Sequence, residues 1–273
     1  MRVRTAFVLA GGGSLAAAQV GMLRALAERG VEPDLLVGVS AGGINAFCFA
    51  QHPDGTGLDR LQRLWSRLRR QDVFPLDALR IVAGLAGVRD GLVAPDRLRS
   101  FLRRHVGSAR LDDTAIPTHL VATDLAGGQP VVLSGGSALR ALMASSAIPG
   151  VFPPVELDGR PLVDGGVSVD VPIRQAEELG STVTYVLPAV APSDAAAVPH
   201  GALPVLLQAV SHVFGRVAAA DTAAARHEVH VLPAPRYPGA NPFDFGATDR
   251  LIDAGYHAVT RALRDDRPQR LTA

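Results

Sequence analysis

The residues Gly38-Val39-Ser40-Ala41-Gly42 set a serine between two glycines, where the short apolar run Leu35 to Val39 gives way to the small-residue segment Ala41 to Ala50. At a strand-to-helix junction such a G-x-S-x-G can form a nucleophile elbow. The serine then sits on a sharp, strained turn, the glycines remove side chains that would crowd it, and the hydroxyl stands near a helix N-terminus whose dipole favours developing negative charge. The same five residues also fit an ordinary strand-to-helix turn with a helix-capping serine, and the pentapeptide alone does not choose. A second constellation, Gly11-Gly12-Gly13-Ser14, follows the apolar run Thr5 to Ala10. Glycines there let backbone N–H groups converge on an anion, as a tetrahedral oxyanion requires. Gly11-x-Gly13-x-x-Ala16 also satisfies the dinucleotide fingerprint. That reading wants an acidic residue at the end of the second strand, whereas Asp34 precedes it and its end carries Gly-Val-Ser-Ala-Gly. No cofactor is expected.

A serine needs a base. The chain has eight histidines, His52, His105, His119, His200, His212, His227, His230 and His257, and none stands in a local catalytic signature. An α/β-hydrolase would place its elbow later in the sheet, behind a His-Gly-Gly motif, and here it falls on the second strand. Asp164 in Leu162-Val163-Asp164-Gly165-Gly166 is the better candidate: a carboxylate after an apolar strand, with two glycines leaving its surroundings open. A plain Asp-Gly turn is the alternative.

The elements that must position these groups alternate between strand and helix. Thr5 to Ala10 and Leu35 to Val39 read as buried strands; Val20, Leu23, Leu26 and Ala27 recur at helical spacing until Gly30. Leu61, Leu64, Trp65 and Leu68 mark one later helix face, and Leu98, Phe101 and Leu102 another. His119 to Thr123 and Val131 to Ser134 predict two strands joined by a turn at Ala126-Gly127-Gly128. Ala138 to Ser145 predicts a short helix, Thr182 to Leu187 a strand, 188 to 204 a loop, 205 to 225 a helix, His227 to Leu232 a strand and Asp249 to Leu263 a final helix. The expected fold is one α/β domain over residues 1–273, with a central, mostly parallel sheet between helices and a polar, frayed tail at 265–273.

Composition narrows the class. A chain of 273 residues with 48% hydrophobic content, 19% charged residues and a net charge of +1 can bury a full core and carries no footprint of a nucleic-acid partner. The single cysteine, Cys48, excludes an internal disulfide and offers no metal cluster. The apolar run after Arg2 and Arg4 is too short for a secretory leader, and Leu203 to Ala225 contains Gln208, His212, Arg216 and Asp221, costly in a membrane. A cytoplasmic chain is expected. Arg60, Arg63, Arg67 and Arg70 share one helix side, which suits either a solvated face or transient contact with anionic headgroups at a membrane surface. Leu206, Val210, Val213, Phe214 and Val217 share another, as core or as acyl-pocket lining.

Taken together, the glycine loop, the serine elbow one helix later and the Asp-Gly-Gly more than a hundred residues on resemble the patatin-like phospholipase family. Ala144-Ser145-Ser146-Ala147-Ile148-Pro149-Gly150-Val151-Phe152-Pro153-Pro154 resembles the family's lead-in to its aspartate, and Val121-Ala122-Thr123-Asp124-Leu125 its central strand. The similarity runs from about residue 5 to 187. It implies Ser40 as nucleophile, Asp164 as its base, Gly11, Gly12, Gly13 and Ser14 as the oxyanion hole, and Gly38, Gly42, Gly165 and Gly166 as the glycines of the two motifs. It further implies no metal and a phospholipid or lysophospholipid acyl ester as substrate, with a broad carboxylesterase or thioesterase, or a non-catalytic lipid or acyl binder, as alternatives. Leu15 and Ala16 depart from the pattern, standing where many members have Arg and Gly.

Overall fold

The computed structural model describes residues 3–75, 77–189, 222–237, 241–264 and 269–271, with isolated positions at 205, 209, 212, 216 and 220. The aliphatic runs become strands covered on both faces. β1 (Thr5–Leu9) and β2 (Leu35–Val39) pair in parallel from Ala6↔Leu35 to Leu9↔Gly38. β3 (Thr118–Asp124) lies parallel on β2, β7 (Val183–Leu187) on the other edge of β1, and β8 (Glu228–Val231) beyond β7. Successive side chains of these strands feed two cores, as the two-residue strand period requires. Phe7, Leu9 and Leu36 point into the larger core, whereas Ala6, Val8, Leu35, Val37, Val39 and Val121 enter the smaller one.

Four further strands flank the central five, of which β4, β6 and β9 run against them and β5 runs with them. β4 (Pro130–Leu133) and β6 (Arg160–Asp164) are antiparallel to β3, β5 (Val155–Leu157) is antiparallel to β6, and β9 (Gln269–Leu271) is antiparallel to β8. Among the described residues the whole is a mixed nine-stranded sheet in an α/β fold. Part of the tail expected to fray thus pairs with the sheet edge, where β8 offers unpaired backbone groups.

The larger core is closed by α1 (Ala18–Glu28), α2 (Ser40–Gln51), α3 (Gly55–Arg67) and, after α4 (Arg70–Val73) and α5 (Ala78–Leu85), by α6 (Asp96–Val106), α7 (Ala138–Ser145) and α9 (Thr248–Arg264). α8 (Ile173–Glu178) covers the smaller core through Ile173 and Ala176. α1 and α9 cross at glycines: a Cβ on Gly21 would strike the Ile252 carbonyl, and one on Gly255 the Ala18 carbonyl. The helix expected across 205 to 225, with its five aliphatic positions, and most of the loop expected over 188 to 204 lie largely outside the described residues.

Candidate active site

Ser40 follows the last residue of β2 and opens α2. Its φ of 53° lies in the left-handed region, which costs a non-glycine residue about 1–3 kcal/mol and persists only where its surroundings enforce it. Here they do. The Ser40 backbone N–H donates to the Ser145 hydroxyl at 2.9 Å, and that hydroxyl donates to the Val121 carbonyl at 2.6 Å. A Cβ on Gly38 would lie 2.6 Å from Gly43 Cα, and one on Gly42 would strike the Leu9 and Ala10 carbonyls. The flanking glycines therefore serve close approach of two backbones.

Asp164 ends β6 and is only 3% exposed. Its N–H donates to the Ala147 carbonyl at 2.9 Å, and its carbonyl accepts from the Thr123 hydroxyl at 2.9 Å. The carboxylate accepts the Gly166 N–H at 2.9 Å and lies near enough to the Ser40 side chain for that group to lower its pKa. Burial pushes the Asp164 pKa up from 3.8 to about 6, with Ser40 and the Gly166 N–H pulling only part of the way back. β3 is the template for this meeting. Val121 is in register with Val39, the residue before the serine, and Ala122 with Asp164 itself. Gly165 packs on the Val121 carbonyl, where a Cβ would not fit.

The glycine loop leads into a short 3-10 turn, Gly13–Ala17. Gly12 (φ 149°) and Gly13 (φ 57°) both need conformations that side chains resist. Ser14, expected among the oxyanion donors, has its N–H committed to the Pro242 carbonyl at 2.9 Å and its hydroxyl to the Asn241 carbonyl at 3.1 Å. It ties the loop down, whereas the amides of Gly12 and Gly13 have no partner among the described residues. The Asp170 carboxylate lies against Gly11, with Oδ1 2.7 Å from where a Cβ would stand.

From Ser40 an apolar cavity of about 50 Å³ runs into the larger core between Ile44, Trp65, Phe101 and Phe152. Ser146 also lines it, and its buried hydroxyl has no hydrogen-bond partner among the described residues. The cavity wall is joined to the glycine loop by a buried polar chain. Trp65 Nε1 donates to Asn45 Oδ1 at 2.7 Å; Asn45 Nδ2 donates to Gln19 Oε1 at 2.8 Å and to the Ala16 carbonyl at 2.9 Å. Gln19 Nε2 then donates to the carbonyls of Ala10 and Leu187 at 2.8 and 2.9 Å. Both ends of the loop are therefore anchored by side chains that are fully buried.

Sequence reasoning singled out none of Gln19, Asn45 and Asp170 for a role, and Ser145 and Ser146 only as part of a phrase. The one local signal was the Ala144 to Pro154 phrase itself, since long-range partners leave no periodic trace. His105, His119 and His230 are engaged with the Phe101 carbonyl, Ser134 and Glu228 respectively. Among the described residues no group of three or more His, Cys, Asp or Glu could hold a metal ion.

Fold and site together define an α/β protein with a strained serine at a strand-to-helix elbow, facing a buried carboxylate and a glycine loop. The family model "Patatin-like phospholipase" matches residues 7–177, and the chain belongs to that family. It is 31% identical over 181 residues to an uncharacterized NTE family protein of Mycobacterium tuberculosis, a match covering 66% of this chain and 48% of that one. Identity is 27% over 184 residues to patatin-like phospholipase domain-containing protein 7 of Rattus norvegicus (67% of this chain, 13% of the relative) and 26% over 179 residues to lysophospholipase nte1 of Aspergillus terreus (65% and 11%). The chain thus spans about half or less of the length of these relatives.

Proposed function

We propose that the chain is a lipid acyl-ester hydrolase in which Ser40 attacks the ester carbonyl and Asp164 takes the serine proton. The observation that carries this reading is a buried Asp164 carboxylate that β3 brings beside a serine held at φ 53°. A carboxylate of pKa about 6 is ionised at neutral pH and far more basic than an ordinary aspartate, which suits it to general-base work. The amides of Gly12 and Gly13 stabilise the oxyanion, with Gly11 shaping the loop and Ser14 anchoring it. Collapse of the tetrahedral intermediate expels the alcohol, protonated by Asp164, and leaves an acyl-Ser40 ester. Water, deprotonated by Asp164, then attacks that ester and releases the fatty acid.

The substrate best supported is a phospholipid or lysophospholipid. The apolar cavity opening at Ser40 suits the part of an acyl chain nearest the ester, and a relative of this chain bears the name lysophospholipase. α5 and the residues after it turn Leu79, Val82, Leu85 and Val88 outward, each at least 65% exposed. Leu92 and Val93, just beyond, hydrogen-bond to the Gly150 and Val151 carbonyls beside the cavity residue Phe152. An apolar ridge so close to the cavity is suited to transient contact with a lipid surface. No helix among the described residues is long and apolar enough to cross a membrane.

A fluorophosphonate probe tests the core of this reading. Labelling of the native protein at Ser40, absent in Ser40→Ala, together with release of fatty acid from lysophosphatidylcholine, is the expected result. Failure of folded protein to label and to hydrolyse the lipid would leave a binding protein on the same scaffold.

A further inference from the structure

Arg60, Arg63 and Arg67 share one side of α3, beside the apolar stripe of Leu58, Leu61, Leu64 and Trp65, the spacing of a solvated helix side. In the folded chain that side is one wall of a groove. α6 contributes Arg104 and His105, the C-terminal end of α2 contributes Gln51, and His52 follows it, around a cavity of about 250 Å³. Four permanent cations and two imidazoles thus converge on one concavity. Among the described residues no carboxylate lines it. The acidic groups nearest in sequence are engaged elsewhere: Asp59 pairs with Arg24 at 2.9 Å, and Asp54 caps α3 by accepting the Gly57 N–H at 2.9 Å. None of Arg60, Arg63, Arg67 and Arg104 forms an ion pair among the described residues, and Arg104 packs its guanidinium 5.9 Å from the Phe101 ring centroid.

Like charges gathered in a concave, partly apolar site repel one another and raise the local concentration of anions. Guanidinium groups present paired N–H donors that match phosphate oxygens two at a time. We infer that the groove between α2, α3 and α6 is a binding site for a phosphorylated anion carrying two or more negative charges, held by Arg60, Arg63, Arg67 and Arg104. The site is separate from the catalytic centre. Cys48, which lines the groove, is eight residues along α2 from Ser40, a distance of about 12 Å at 1.5 Å per residue. The two are nevertheless joined through α3, because Leu64 lines both the groove and the apolar cavity that opens at Ser40. The phosphate belongs either to a soluble ligand or to an anionic lipid headgroup, and the chemistry of capture is the same.

The test uses the full chain carrying Ser40→Ala, so binding is read without turnover and independently of any hydrolytic activity. Pyrophosphate is titrated calorimetrically at fixed ionic strength, and binding to phosphatidylcholine vesicles with and without phosphatidate is measured by flotation. One saturable pyrophosphate site is expected, weakened by about a hundredfold or more by the double variant Arg63→Gln/Arg104→Gln, as loss of two charge-assisted contacts predicts. Arg261→Gln, an exposed arginine on α9, should leave it unchanged. If phosphatidate-dependent flotation is lost in the double variant and competed by pyrophosphate, the ligand is a headgroup. If pyrophosphate binds and vesicles do not respond to the double variant, the ligand is soluble. Absence of saturable pyrophosphate binding, or equal affinity in the double variant and the parent at unchanged melting temperature, overturns the inference.

Discussion

Replacing Asp164 by Asn should make the protein more stable at alkaline pH while abolishing its activity. The unfolded chain releases the Asp164 proton near 3.8 and the folded chain near 6. Folded protein therefore binds that proton more tightly, and the contribution of this group to stability falls as pH rises through that window. At about 1.4 kcal/mol per pH unit, holding the ionised carboxylate in its buried site costs about 3 kcal/mol above pH 6. Asn stays neutral, fits the same space, and keeps an oxygen to accept the Gly166 N–H. For a chain of 273 residues that free energy corresponds to a rise in Tm of about 5 °C. Calorimetric melting at pH 8 should show the gain, and urea unfolding should show the gap between variant and parent closing as pH approaches 4. On the activity side, kcat/KM of the parent should climb with pH through an apparent pKa of about 6, and the variant should be inert. An Asn variant less stable than the parent at pH 8, or a stability gap independent of pH, would refute the assignment of a desolvated, ionised carboxylate.

Other perturbations read other parts of the site. Ser145→Ala removes the acceptor of the Ser40 N–H; displacement of the nucleophile should lower kcat/KM on a short ester by about a hundredfold while the fold persists by circular dichroism. Trp65→Phe leaves Asn45 Oδ1 buried without its donor, which should cost about 1–3 kcal/mol in urea unfolding, and the loss of the only tryptophan means that circular dichroism must follow it. Gly42→Ala drives a methyl into the Leu9 and Ala10 carbonyls, so a loss of about 1–3 kcal/mol with a collapse of fluorophosphonate labelling is expected. Leu79→Ser/Leu85→Ser on the outward ridge of α5 should leave hydrolysis of a soluble ester unchanged and reduce the rate on lipid vesicles severalfold.

Local patterns carried much of this protein. The strands over Thr5–Leu9 and Leu35–Val39, the two glycine motifs and the last helix were legible in the sequence, because strand burial, turn strain and helical spacing are set by neighbours within a few residues. Ser40 and Asp164 could be picked out as candidates by residue type and flanking glycines. What the sequence left open was whether their side chains meet across 124 positions, and β3 decides that by holding Val39 and Asp164 in adjacent registers. Ser14 shows the same limit from the other side. By position it belonged with the oxyanion donors, yet its N–H and hydroxyl are taken by Pro242 and Asn241, more than two hundred residues away. The raised pKa of Asp164, the buried chain from Trp65 to Gln19 and the arginine groove likewise exist only once α2, α3 and α6 pack on the sheet. Desolvation and hydrogen-bond satisfaction depend on what surrounds a group in space, and one-dimensional order encodes that only through the completed fold.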